Sequence, residues 1–242
     1  MILCLLFLNV TPRCDSLETA LAQDCRIEAL IELSRCFVAA AEYHRSMELL
    51  KSHERSFTKE ADRARLMYET GSVCMFAGDI VKAHETYLRL LGTHAASDIA
   101  NDAAERIYLF ETARDDTTQL RRLINVVRLF ETGQYRPAAD STKNLLKDRT
   151  RVGAYAYYYL ALAYEAQGDL PLASGALEEL NRVYQNHRVH EAVLLQADVY
   201  TALGKTKDAV EVLEDAIVRA PNTIYALKAR QKLAALKFHS DK

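Results

Sequence analysis

The sequence predicts an all-α protein made of consecutive helical hairpins. Half of its 242 residues are hydrophobic, and only 8 are glycine and 4 are proline. This composition is typical of packed helices and disfavours both disorder and a sandwich of short strands. In addition, one pattern of small and large apolar residues occurs twice, with its central glycines at Gly168 and Gly204, 36 residues apart. Such a spacing indicates stacked helical units, each of which buries its apolar face against a neighbour.

The two best-preserved copies have corresponding positions on both sides of their glycines. These positions are Tyr157, Leu160, Ala161, Tyr164, Ala173, Leu177 and Leu180 in one copy, and Val193, Gln196, Ala197, Tyr200, Ala209, Leu213 and Ala216 in the other. Glycine suits the residue that follows a helix, because it accepts a positive φ without a Cβ clash. The alanines predict that the paired helices approach each other closely.

Three weaker copies precede these two and turn at Ala41, Gly78 and Gly133. The first two turns are 37 residues apart, but 55 residues separate Gly78 from Gly133, which leaves room for one extra helix. Its apolar residues recur at every third or fourth position, as Ile99, Ala103, Ile107 and Phe110. After Pro221 one more helix combines an apolar stripe with lysines and arginines, as expected of a helix that solvates the end of an array.

These elements give one predicted helical repeat domain over residues 16–238. The predicted hairpins cover about 27–53, 64–93, 119–148, 154–185 and 190–221, with the extra helix at about 98–113 and the capping helix at 222–238. Residues 1–15 form a separate apolar segment, which is shorter than the roughly 20 residues that span a bilayer. We therefore expect no integral membrane span.

Two interpretations of residues 1–15 remain open. The segment resembles the apolar part of an export signal with a clipped start, although a basic leading stretch is missing and Pro12 and Arg13 occupy the place of small residues. Alternatively, it is an apolar capping helix or a misassigned start. The second interpretation places the protein in the cytoplasm, which is our first expectation, and the first places it in the periplasm or at the envelope.

Charge and cysteine content argue against several classes of protein. The net charge is −2, without a basic excess, so nucleic acid is not an expected partner. The five cysteines are odd in number and form no CxxC pair, which argues against a zinc site and against a complete disulfide framework. Cys14, Cys25 and Cys36 recur every eleven residues and are interpreted as small buried hydrophobes on a helix face.

No arrangement of residues predicts catalysis, so we expect neither an enzyme nor a cofactor. His187 and His190 are three residues apart, but no acid or cysteine nearby completes a metal site. Neighbouring acids such as Asp115 and Asp116 point in different directions on a helix. The sequence also lacks a GxSxG motif and a glycine-rich phosphate loop.

The repeated pattern resembles the tetratricopeptide repeat family. The copy from Val193 to Pro221 fits the family pattern best, whereas the preceding copy has Gln185 in place of the closing proline and the first copy has Ala41 in place of glycine. The resemblance implies a right-handed superhelical array, or solenoid, whose first helices line a concave groove. The stretch from Asn222 to Arg230 also resembles the closing repeats of bacterial envelope proteins of this family.

We expect the groove to be apolar at its centre. The predicted partner-binding residues are Tyr68, Met75, Leu123, Val127, Phe130, Tyr155, Tyr158, Leu162 and Leu194. These side chains suit an apolar peptide or helix. The alternative is that they pack against the extra helix or another subunit. The Lys, Asn and Arg clamp with which chaperone-binding members hold a terminal carboxylate is missing from the equivalent positions.

The sequence thus predicts a non-catalytic protein-binding scaffold. An alternative function is that of a structural or accessory subunit in a bacterial cell-envelope assembly, which the apolar start and the envelope-like final repeat favour. A protein or peptide is the expected partner, and a homo-oligomer is possible in either case.

Overall fold

The structure is a computed structural model that describes residues 11–147, 150–184 and 189–240. The apolar residues 1–10, Gln185 and His187 lie outside this range. The described residues form thirteen α-helices and no strand, so the all-α prediction is confirmed. The helices are α1 (Thr11–Gln23), α2 (Ile27–Ala39), α3 (Tyr43–Ser52), α4 (Glu60–Phe76), α5 (Ile80–Thr93), α6 (Ala100–Thr112), α7 (Thr117–Glu131), α8 (Tyr135–Leu145), α9 (Gly153–Ala166), α10 (Leu170–Val183), α11 (Glu191–Ala202), α12 (Thr206–Arg219) and α13 (Ile224–Ser240).

The chain divides into two compact units. Unit 1 covers residues 1–134 and contains α1 to α7, and unit 2 covers residues 135–242 and contains α8 to α13. The assignment of residues 16–238 to a single domain stays a prediction. Among the described residues, no helix is both long enough and apolar enough to cross a bilayer.

Unit 1 is built from helices that pair with their neighbours in the chain, and α7 is the exception. The pairs α1 and α2, α2 and α3, α4 and α5, and α5 and α6 pack together, whereas α7 lies against the more distant helices α2 and α4. Leu30, Leu33 and Phe37 recur along α2 at helical spacing and are fully buried. The apolar stripe of this helix therefore forms the centre of the unit 1 core.

Unit 2 depends on small residues where its helices meet. Ala161 and Ala173 are buried in the pair α9 and α10, and Ala197 and Ala209 are buried in the pair α11 and α12. Their methyl groups leave room for the two backbones to approach, and Leu177 and Leu213 fill the space beside them. The final helix α13 adds Ala226 and Ala229 to the same core.

The hairpin turns share one backbone conformation, even where the glycine is missing. Gly78, Gly133, Gly168 and Gly204 have φ between +74° and +89°, and Ala41 has φ +61°. At Ala41 the N–H of Glu42 donates to the carbonyl of Phe37 at 2.8 Å, the same six-residue closure that the glycine turns make. The closure forces the left-handed conformation on an alanine, whose Cβ makes it unfavourable.

A disulfide joins α1 to α2 and corrects our interpretation of the cysteines. Cys14 and Cys36 are bonded to each other and buried, while Cys25 is free and exposed. The bond closes a loop of 22 residues, which corresponds to about 3 kcal/mol of stabilisation in the chain-entropy treatment. The spacing of eleven residues was misread as one helix face, because the chain reverses between α1 and α2.

Replacing Ala41 by glycine is expected to stabilise unit 1 by about 0.5–1 kcal/mol. The substitution removes the left-handed strain of about 1–2 kcal/mol, and the greater freedom of glycine in the unfolded chain offsets part of that gain. Urea unfolding, with hydrogen exchange of α2 and α3, measures the change. Ala40→Gly is the matched control, because Ala40 has φ −81° and should lose stability on the same substitution. Equal effects at both positions would show that the turn carries no strain.

Candidate functional site

In unit 1 the predicted groove positions lie mostly in the core. Met75 of α4 and Leu123 and Val127 of α7 have no exposed side-chain surface, and Tyr68 is 8% exposed. Phe130 is half-buried. These residues are covered because α7 packs against α2 and α4. A partner cannot reach the buried side chains without displacing α7 from this face of the unit.

A buried polar network links α2, α3 and α4 at the same place. Glu69 is buried and accepts a hydrogen bond from Ser34 Oγ at 3.1 Å, and the hydroxyls of Ser34 and Ser46 are 2.9 Å apart. Arg35 Nε lies 3.5 Å from the second carboxylate oxygen of Glu69. Burial raises the pKa of Glu69 to about 7, while the positive charge of Arg35 acts in the opposite direction.

The extra helix α6 contributes a second polar contact to this region. Arg106 of α6 forms a largely buried ion pair with Glu131 of α7. The Nε of Arg106 also donates to the hydroxyl of Tyr68 on α4 at 3.0 Å. The guanidinium of Arg106 therefore links α4, α6 and α7. Its neutral partner, the Tyr68 hydroxyl, and its charged partner, the Glu131 carboxylate, both belong to unit 1.

In unit 2 the predicted positions remain partly accessible. Tyr155 is buried, but Tyr158 and Leu162 on α9 and Leu194 on α11 are half-buried. The Tyr158 hydroxyl donates to a carboxylate oxygen of Glu191 at 3.1 Å, which fixes the ring at the border between α9 and α11. Two neighbouring helices therefore carry partly accessible aromatic and aliphatic side chains, of which Leu194 also packs against the core.

Charged side chains continue this surface along the same helices. Glu165 follows Leu162 at the next turn of α9, and Asp198 follows Leu194 at the next turn of α11, because residues three or four positions apart share a helix face. Asp198 forms an ion pair with Lys232 of α13. We call the surface formed by Tyr158, Leu162, Glu165, Leu194, Asp198 and Lys232 the α9–α11–α13 face.

The charged groups of this face influence one another. Desolvation raises the pKa of Glu165, the negative charge of Asp198 acts in the same direction, and the positive charge of Lys232 lowers this pKa. At the N-terminal end of α13, the Lys228 ammonium lies 5.9 Å from the centre of the Tyr225 ring, which also stacks on His190. The predicted groove residues include neither Glu165 nor Lys232. The sequence signal that could have identified them is helical spacing: Glu165 lies one turn after Leu162, and Lys232 lies beside the apolar stripe of α13.

The described residues contain no group of three or more His, Cys, Asp or Glu side chains arranged to hold a metal ion. The chemistry that the α9–α11–α13 face offers is contact with apolar groups and pairing with charges. Both are properties of a binding surface.

Replacing Glu69 by glutamine is expected to remove a pH dependence from the stability of unit 1. Glu69 has a pKa of about 7 in the folded protein, against an ordinary value of 4.5. Its contribution to the free energy of unfolding is therefore largest below pH 4.5 and is lost as the pH rises to 7. Between pH 4.5 and pH 8, the free energy of unfolding of the variant should therefore rise relative to that of the wild type by up to about 3 kcal/mol.

Urea unfolding of the full chain at several pH values measures this difference, with hydrogen exchange in α2 and α4 to localise it. Glu85→Gln on the exposed side of α5 controls for the loss of one negative charge. If the curves of wild type and Glu69→Gln ran parallel with pH, Glu69 would not be the titrating group.

Comparison with known proteins agrees with the repeat pattern. Residues 126–180 and residues 191–223 each match a family model of the tetratricopeptide repeat. A search of curated proteins found no match. Similar solved structures include the TPR2AB domain of yeast Sti1 in its pHSP90 complex, with 15% identity, coverage of 96% of this chain and 92% of that one, and a TM-score of 0.44.

Two further solved structures are similar at the same level. YrrB, described as a TPR protein with an unusual peptide-binding site, has 14% identity, coverage of 90% and 99%, and a TM-score of 0.42. BtubC from P. vanneervenii has 16% identity, coverage of 91% and 92%, and a TM-score of 0.39. The residues matched by the family models, 126–180 and 191–223, are thus similar to the repeat family that the sequence pattern resembles.

Proposed function

We propose that the protein is a non-catalytic interaction scaffold that binds an apolar peptide or helical segment of another protein on the α9–α11–α13 face. The observation that carries the proposal is the partial exposure of Tyr158, Leu162 and Leu194 on two adjacent helices. Repeats of the tetratricopeptide type commonly serve as interaction scaffolds, which supports a protein as the partner.

The face has the composition of a binding surface whose affinity rests on a few anchors. Tyrosine combines a large apolar ring with a hydroxyl, and aromatic residues dominate the energetics of most protein interfaces. Tyr158 keeps its hydroxyl bonded to Glu191, so its ring is held in place before a partner arrives. An ordered anchor loses less conformational entropy on binding.

The corresponding positions in unit 1 are less suited to this role. Met75, Leu123 and Val127 are in the core, so exposing them would sacrifice the packing of α7. The proposed binding residues are therefore Tyr158, Leu162 and Leu194, all in unit 2, and the half-buried Phe130 of unit 1 is not part of this face.

A photo-crosslinking amino acid at Leu162 or Leu194 is expected to capture a partner protein in the native host. The same amino acid at Val218, a 78% exposed position on α12, is the control for random collision. The partner identified by mass spectrometry is then purified, and Tyr158→Ala should weaken its binding by roughly 10- to 100-fold, as for a central aromatic anchor. Adducts of equal yield at Val218, or unchanged affinity of a folded Tyr158→Ala protein, would contradict the proposal.

A second candidate function is that of an accessory subunit in a bacterial cell-envelope assembly. The buried disulfide between Cys14 and Cys36 favours it, because disulfides persist mainly in oxidising compartments such as the periplasm. This candidate is compatible with the scaffold function and adds a location to it.

The redox state of the cysteines in native cells tests this second candidate. After acid quenching and alkylation, we expect Cys14 and Cys36 to be protected as a disulfide and the exposed Cys25 to be modified, with the protein in the envelope or periplasmic fraction. Alkylation of Cys14 and Cys36 in a purely cytoplasmic fraction would exclude the candidate.

A further inference from the structure

We propose that the α9–α11–α13 face selects partner segments that carry a basic side chain within one helical turn of an apolar anchor. This inference rests on the proposed scaffold function and names the chemistry of its partner. It is carried by the balance of charges beside the apolar surface.

The charges of this face do not cancel. Of the described residues, Lys232 is the cation that acts on both Glu165 and Asp198, and it is already paired with Asp198. Among the described residues, Glu165 forms no direct ion pair, and the charge of Lys232 acts on it from a longer distance. The two carboxylates therefore share one ammonium group, and these three residues carry one net negative charge.

The position of this charge relates it to the apolar anchors. Glu165 lies three residues after Leu162, and Asp198 lies four residues after Leu194, so each carboxylate is one helical turn, about 5–6 Å, from an apolar side chain. A segment whose apolar residue packs between Leu162 and Leu194 therefore brings its next turn opposite Glu165 and Asp198. A lysine or arginine at that turn meets two carboxylates.

Glu165 is exposed, but its surroundings still disfavour its charge. Desolvation and the neighbouring carboxylate both raise the pKa of Glu165, so its ionised form is less favourable than that of an isolated glutamate. A basic side chain from a partner relieves that penalty by pairing with Glu165, whereas a glutamate from a partner adds a third negative charge. The face therefore discriminates by repulsion as well as by attraction.

A defined peptide library tests the selectivity. The library consists of 14-residue helical peptides displayed on phage, with Leu, Ile or Phe at three anchor positions and Arg, Gln or Glu one turn after the last anchor. Full-length wild-type protein should enrich Arg over Gln by about fivefold or more and should deplete Glu. The enrichment should shrink between 50 and 300 mM NaCl, because partly exposed charges are screened by salt.

Two variants separate the role of the charge from that of the apolar surface. Glu165→Gln should abolish the preference for Arg while peptides with Gln still bind. Glu214→Gln is the matched control, because Glu214 is an exposed glutamate of α12 that pairs with Lys237, and this variant should keep the preference. Leu162→Ala should weaken all three classes of peptide equally.

The outcomes distinguish the two proposals. Equal enrichment of Arg, Gln and Glu that Leu162→Ala abolishes would overturn the charge selectivity and leave the scaffold function standing. If no class of peptide were enriched more than peptides of a library without anchor residues, both the charge selectivity and the scaffold function would be overturned. A preference for Arg that survives Glu165→Gln would also overturn the assignment of selectivity to this carboxylate.

Discussion

The packing of α7 against α2 and α4 determines what unit 1 can do. Helical hairpins cannot bury their apolar faces alone, so each surface left open by one pair is available either to the chain itself or to a partner. In unit 1, α7 covers this surface, and Met75, Leu123 and Val127 are core residues. Arg106 of the extra helix α6 completes the arrangement by pairing with Glu131 and donating to Tyr68. The surface that is open in unit 2 is thus structural in unit 1.

Much of the fold could be predicted from the sequence, because the signals involved are local. The turn glycines need no tertiary information, since a positive φ selects glycine directly, and the interval between Gly78 and Gly133 is long enough to require an extra helix. The alanines between paired helices are equally local, because only a small side chain allows close approach. The half-buried positions Tyr158, Leu162 and Leu194 follow from the same helical spacing, and their role in binding stays a prediction.

The remaining features depend on contacts between segments that are distant in sequence. Helical spacing identifies which residues share a face, but not whether a later helix covers that face, so Met75 and Tyr158 look equivalent until the packing is known. The disulfide between Cys14 and Cys36 depends on the chain reversal between α1 and α2, which is not encoded in cysteine spacing. Glu69 likewise reads as a surface residue of α4, although Ser34 and Ser46 of two other helices meet it in the interior.

The two units treat their acidic residues in opposite ways, and the difference follows from solvent access. In unit 1, Glu69 and Glu131 are removed from water, so each needs partners from the same unit, and Ser34, Arg35 and Arg106 supply them. In unit 2, water still reaches Glu165, so the protein tolerates a carboxylate that shares Lys232 with Asp198 instead of having a cation of its own. Closing that surface with a partner removes the water and leaves the charge to be matched. In the proposed complex, a partner that covers Leu162 and Leu194 would either bring a cation to Glu165 or leave two carboxylates to share Lys232 away from water, and this is the physical reason for the proposed selectivity.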